Sequence, residues 1–220
     1  MTVTDVNVVK SAIFERPDDA NKGTLGSLLC VCGSYGMAGA AVMSAKGALR
    51  TGIGLAKCAL PRSIYPIVAQ TILESVYYPL SENADGRISK VNVPFLVSES
   101  CKSSATLVGC GLGVCDDTLK IVFSLIENST TPLVLDADAL NCVAKQPEIL
   151  LRKKAPIIIT PHPGEMSRLT GLATPLVNAE RERVALDFAQ KYGVVTVLKG
   201  AGTVIASPNG KVLVNPTGNS

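Results

Sequence analysis

Ser27-Leu28-Leu29-Cys30-Val31-Cys32, followed at once by Gly33-Ser34-Tyr35-Gly36, is the stretch on which the fold turns. Six uncharged residues, five of them apolar or thiol side chains, end abruptly on glycine. The next segment, Ala38 to Thr51, is alanine-rich and free of proline, and Gly52 follows it. A short continuous apolar run predicts a strand buried on both faces. The alanine-rich run predicts a helix that stops at the glycine. A buried strand, a glycine break and a helix together make one turn of a parallel α/β winding.

The same alternation continues outward from this unit. Ile53 to Leu60 reads as the next strand, stopped by Pro61. Ala105 to Gly109 is a strand that leads into Cys110-Gly111-Leu112-Gly113 and a helix over Asp116 to Glu127. Pro132 to Asp136 and Pro156 to Thr160 are strands, and a short helix runs from Ala137 to Ala144. Further helices are predicted over Glu165–Leu169 and Asn178–Tyr192. Val194 to Leu198 is the last long buried strand, and Thr203–Ser207 with Lys211–Asn215 forms a hairpin about Pro208-Asn209-Gly210. Residues 4–14 suggest a leading helix, and 71–90 reads either as an irregular excursion or as edge strands. These elements predict a mostly parallel sheet with helices on both faces, in a single domain over residues 1–220.

The composition agrees. Hydrophobic residues make up 47% and charged residues 18%, a balance that excludes a disordered chain. A net charge of +3 with scattered Lys and Arg argues against a nucleic-acid surface. Seven cysteines occur without any Cys-x-x-Cys, and His162 is the sole histidine, so a zinc site lacks material. Several cysteines lie in apolar runs, where they read as small core residues kept reduced. With no signal-like N-terminus and no apolar run of about 20 residues, the chain is expected to be soluble and cytoplasmic, with no membrane contact.

Ligands of open α/β sheets bind outside the carboxyl ends of the strands. The unusual residues of this chain gather there: Gly33–Gly39, Gly109–Gly113, Asp136–Asn141, Thr160–Glu165 and Lys199–Thr203. Each has two readings. Gly33-x-x-Gly36-x-x-Gly39 is either a turn or an anion site at a helix start. Gly109-x-Gly111-x-Gly113 is either a tight turn or a close approach to a ligand. Asp136 and Asp138 either cap a helix or hold water or magnesium. Thr160-Pro161-His162-Pro163-Gly164-Glu165 holds a histidine that is either a packed or exposed bystander or a ligand contact, and the two prolines pinning it at a strand exit favour contact. Lys199-Gly200-Ala201-Gly202-Thr203 is either a hairpin turn or a phosphate loop, and it is not a Walker A sequence.

Taken in order, five segments resemble the ribokinase-like NAD(P)H-hydrate dehydratases. They are Lys22–Gly26, Gly33–Ala41, Leu135–Leu140, Thr160–Glu165, and Leu198–Thr203 with Asn215-Pro216-Thr217-Gly218-Asn219. The Thr-Pro-His-Pro-Gly-Glu and Asn-Pro-Thr-Gly-Asn strings are the specific ones. The resemblance implies a ribokinase-like three-layer sandwich, with a central sheet between helices. It implies a lyase that dehydrates the hydrates of NADH and NADPH with ADP or ATP and magnesium, in a homo-oligomer. It places Ala40, Gly111 and His162 at the hydrate, and Lys199, Gly200, Ala201, Gly202 and Thr203 at the nucleotide. Glu165 becomes the carboxylate that meets magnesium through water.

Two departures stand out. Asn21 replaces the histidine usual before Lys-Gly. The family's Gly-Gly-Ser/Thr-Gly-Asp loop, which carries the catalytic aspartate, would lie beyond Ser220, so no catalytic residue is assigned within the chain. A small-molecule kinase of the same fold is the alternative, although such kinases place Asn where His162 stands. A non-catalytic nucleotide-binding subunit is a third reading.

Overall fold

The computed structural model describes residues 2–4, 9–10 and 17–217. The helix expected over 4–14 falls largely outside them, with Val9 and Lys10 helical. The first half comprises β1 (Thr2–Val3), β2 (Ser27–Val31), α1 (Ala38–Arg50), β3 (Leu55–Pro61), α2 (Tyr65–Thr71), β4 (Val76–Leu80), α3 (Val93–Lys102) and β5 (Ala105–Val108). Then come α4 (Asp116–Asn128), β6 (Leu133–Leu135), α5 (Asp138–Val143), β7 (Ile157–Ile159), α6 (Pro163–Thr170), α7 (Thr174–Ala179), α8 (Arg181–Tyr192), β8 (Val195–Leu198), β9 (Thr203–Ala206) and β10 (Val212–Asn215).

The strands form one sheet in the order β1-β10-β9-β8-β7-β6-β5-β2-β3-β4. From β8 to β4 every neighbouring pair is parallel, while β9 runs antiparallel to both β8 and β10. The expected mostly parallel sheet is therefore present, with the hairpin at one side.

Alternation along β2 explains the layers. Leu29 and Val31 enter one core with Val108, Leu135, Ile159 and residues of α3 to α8. Cys30 and Cys32 point the other way, into a second core with Ala41 and Ala45 of α1, Val68 of α2, and Ala56, Cys58 and Leu60 of β3. A strand buried on both faces carries no polar alternation, which is why its sequence is continuously apolar. The second core is built from small side chains. Ala41, Ala45 and Ala48 recur on one face of α1 and let that helix lie close to the thiols. Burial pushes the Cys30 thiol well above its ordinary pKa, and it pushes that of Cys142 up to about 12. These cysteines act as core residues.

Two helices, α2 and α3, were not evident in the sequence, because Pro66 and Pro94 suggest breaks. In the fold each proline occupies the first turn, where it sacrifices no intrahelical hydrogen bond. The ambiguous stretch 71–90 contains both alternatives: β4 is an edge strand, and 81–89 is an excursion closed by a Glu82–Ile88 bridge. The single helix expected over Asn178–Tyr192 is two helices, broken at Glu180 (φ −125°, ψ 40°). The break turns Arg181 under the end of β8. Among the described residues, no helix is long and apolar enough to cross a membrane.

Candidate active site

Five adjacent parallel strands, β2, β5, β6, β7 and β8, end on the same edge of the sheet. Their exits are the five segments singled out in the sequence. Parallel winding alone brings them into one row.

Contacts between neighbouring exits lock the row. Gly33 N donates to Cys110 O at 2.8 Å, and Ser34 Oγ donates to Gly111 O at 2.7 Å. Gly111 (φ +68°) faces the first turn of α1, where a β-carbon would lie 2.7 Å from Ala40 Cβ and 3.1 Å from Met37 Cβ. Ala40 and Gly111, expected together at the hydrate, thus form one smooth wall. At Gly109 (φ +128°) a β-carbon would overlap Asp136 O, so the β5 and β6 exits meet backbone to backbone.

The β6 exit is strained. Ala137 (φ 51°, ψ −115°) is the one non-glycine residue with positive φ among the described residues. Such a conformation costs on the order of 1–3 kcal/mol. The residue at the N-cap position of α5 is Ala137, and neither Asp136 nor Asp138 caps the helix. Asp138 instead accepts from Gly113 N at 2.8 Å, which secures the glycine loop. Asp136 accepts from Ala137 N at 2.9 Å and from Lys199 Nζ at 2.7 Å. The latter ion pair crosses the β7 exit and joins the two halves of the row. Cys110 Sγ lies 3.8 Å from Asp136 Oδ2, and the thiol is pulled below its ordinary pKa, first by a hydrogen bond with Cys32.

His162 is the N-cap of α6. Its Nδ1 accepts from Gly164 N (3.0 Å) and Glu165 N (3.3 Å), while Glu165 Oε2 accepts from His162 N (2.8 Å). This is a capping box with imidazole in the place of a hydroxyl. Because Nδ1 accepts, the neutral ring carries its proton on Nε2, which lies 3.4 Å from Glu165 Oε1. The ring is half exposed, whereas the Glu165 side chain is 7% exposed. The carboxylate expected near magnesium is therefore engaged with His162. No group of three or more His, Cys, Asp or Glu side chains among the described residues could hold a metal directly.

At the β8 exit, Lys199 N donates to Pro161 O at 2.8 Å, and Thr203 Oγ1 donates to Gly200 O at 3.1 Å. Gly200 and Ala201 are exposed. Beneath them lies Arg181, whose Nη2 donates to Leu198 O at 2.8 Å. Sequence reading missed Arg181, because Arg181-Glu182-Arg183 looks like a solvated helix surface. It also missed the approach of 81–89, where Tyr35 N donates to Gly86 O (2.9 Å) and Arg87 stands over Gly113. The expected hydrate residues Ala40 and Gly111 lie towards the β2 side of the row, and Lys199–Thr203 lies at its β8 side. His162 stands on the exit next to Lys199.

A family model described as NAD(P)H-hydrate dehydratase matches residues 28–220. The bifunctional NAD(P)H-hydrate repair enzyme Nnr of Thermofilum pendens is 39% identical over 204 residues, covering 93% of this chain and 39% of that protein. The ADP-dependent (S)-NAD(P)H-hydrate dehydratase of Bacillus subtilis is 32% identical over 213 residues, covering 96% of this chain and 71% of that protein. The chain thus spans about two fifths of its bifunctional relative. Among solved structures, the ADP/ATP-dependent NAD(P)H-hydrate dehydratase from Bacillus subtilis, co-crystallised with ATP/Mg2+, superposes with a TM-score of 0.82 at 30% identity. That match covers 99% of this chain and 73% of the other.

Proposed function

The chain belongs to the NAD(P)H-hydrate dehydratase family, and from that premise we propose that its row of strand exits binds a hydrated nicotinamide nucleotide beside ADP or ATP. The reaction returns the hydrate to NADH or NADPH. One observation carries this reading: two differently suited ends of a single row are joined by the Lys199–Asp136 pair.

Ala40 and Gly111 contribute nothing larger than a methyl group, with the Met37 side chain beside them, so this end of the row suits a flat ring. His162 presents an imidazole edge from a helix start, held in one orientation by its capping bonds. Lys199 and the exposed peptides of Gly200 and Ala201 provide a cation and N–H donors for phosphate. Magnesium, when bound with the nucleotide, supplies charge neutralisation on the phosphates. Glu165, on the exit next to Lys199, and Asp136, paired with Lys199, are the carboxylates that would orient its water.

The chemistry follows from the weakness of hydroxide as a leaving group. The hydroxyl on the hydrated ring carbon attacks the terminal phosphorus of the nucleotide, and the bond to the shortened nucleotide breaks. The ring nitrogen lone pair then assists expulsion of phosphate. A proton leaves the adjacent carbon and restores the ring double bond. Water is removed overall as phosphate oxygen and two protons, and no electrons change hands. Positioning and charge stabilisation supply most of the catalysis in such a transfer.

The test is restoration of reduced-nicotinamide absorbance from purified NADH or NADPH hydrate. Signal is expected only with ADP or ATP and magnesium, and Lys199→Ala should raise the nucleotide KM by at least about tenfold, the loss of roughly one charged hydrogen bond. Restoration that ignores nucleotide would sink the proposal. Accumulation of a stable phosphorylated product would instead favour a kinase.

A further inference from the structure

We propose that Arg181 is the positioning residue of the Lys199–Gly202 loop, a clasp that closes the neck of the loop and sets its peptides for nucleotide phosphate. This rests on the functional reading above and adds a residue outside the segments that carry it.

The clasp is a matter of geometry. Leu198 is the last residue of β8, and Gly202 immediately precedes β9. One nitrogen, Arg181 Nη2, donates to both Leu198 O (2.8 Å) and Gly202 O (3.4 Å). The two ends of the loop are thus held on a single group. The loop also lies directly on the guanidinium: a β-carbon at Gly200 (φ +147°) would stand 2.7 Å from Nη1 and 2.9 Å from Nη2. Only glycine fits between the loop and the charge beneath it.

Stability alone gives no reason for an arginine here. It occupies the first position of α8, where the helix dipole disfavours a cation. Its Nε is buried and has no hydrogen-bond partner among the described residues, a cost that an apolar side chain of similar length would avoid. Burial also lowers its pKa from the ordinary arginine value. A residue that breaks three local rules at once marks a place where something other than packing is being served. What the guanidinium touches is the loop. Nη2 carries two N–H donors at a fixed angle in the guanidinium plane, one for each carbonyl, whereas the ammonium of lysine is a rotating, strongly hydrated point charge.

The experiment compares Arg181→Met, Arg181→Lys and Arg183→Met with the unaltered protein. Arg183 lies on the same helix and pairs with Glu180 and Asp187 at the surface, so it controls for charge. The expected result has three parts. Arg181→Met raises the nucleotide KM about tenfold or more, with the hydrate KM within twofold and the unfolding midpoint maintained. Arg181→Lys recovers part of that loss, and Arg183→Met changes neither KM. Tryptic cleavage after Lys199, read by mass spectrometry on the folded protein, accelerates severalfold in Arg181→Met. Unchanged cleavage after Lys199 overturns the clasp whatever the activity. A lowered unfolding midpoint with unchanged nucleotide KM also overturns it, since Arg181 would then be structural only. If the unaltered protein neither binds nor uses nucleotide, the functional reading fails, while the cleavage comparison still decides whether Arg181 holds the loop. Should Arg181→Met not fold, the cleavage rate and nucleotide KM of Arg181→Lys decide by the same criteria.

Discussion

Replacing Gly111 with alanine tests the wall of the site most directly. The substitution has two separable costs. The first is conformational: at φ +68° an alanine sits in left-handed space, at a cost of about 1–2 kcal/mol. The second is steric. The new methyl would stand 2.7 Å from Ala40 Cβ and 3.1 Å from Met37 Cβ, and forcing apart such a contact costs about 1–3 kcal/mol. The sum is about 2–5 kcal/mol, or a midpoint shift of about 4–20 °C for a domain of this size. Gly36→Ala isolates the first cost, because φ there is +81° and nothing lies within 4 Å of its would-be β-carbon. Ala40→Gly isolates the second from the other side. It removes the nearer methyl at a cost of about 1 kcal/mol in helix propensity. Chemical denaturation of the two single variants and the Gly111→Ala/Ala40→Gly pair closes a double-mutant cycle. The pair should be more stable than the sum of the singles by about 1 kcal/mol or more. Additivity within about 0.5 kcal/mol would show that the two residues do not meet, and the wall would not exist as described.

Other outcomes follow from the same contacts. His162→Ser should keep the cap of α6 and His162→Ala should lose it, so only the latter loses about 1 kcal/mol in denaturation. Both should impair turnover of the hydrate, and full activity in His162→Ser would remove the imidazole from the reaction. Glu99, nearly buried on α3, is held below the ordinary carboxylate pKa first by a hydrogen bond from Lys102, with Tyr78 and Lys57 adding to it. A depressed folded pKa contributes stability above the ordinary carboxylate range, and this is lost as pH falls through the folded value. Glu99→Gln should therefore flatten the acid limb of a pH–stability curve, and an unchanged limb would show that the contact carries no linkage.

Much of this arrangement was legible early because the signals were strong and local. β2, β5, β6, β7 and β8 are short apolar runs that end within two residues on glycine, proline or a charged residue, and parallel winding makes such exits neighbours. Helices α2 and α3 were obscure because a first-turn proline reads the same as a breaker until the preceding residues are placed. The split of α7 from α8 was hidden because Asn178–Tyr192 contains no glycine or proline to mark it. The role of Arg181 left no trace in its neighbourhood. The carbonyls it holds, those of Leu198 and Gly202, are 17 and 21 positions away, so no pattern around Arg181 could announce them.

The sequence alone determined the fold class, the row of five exits and the identity of the loops in it. Hydrophobic period and punctuation are properties of the chain read in order. Tertiary structure decided which groups meet: Lys199 with Asp136 across an intervening strand exit, Gly111 against Ala40, and His162 with Glu165 in the cap of α6. Those pairings depend on sheet order and on distances of a few ångströms, and neither quantity is carried by any single segment.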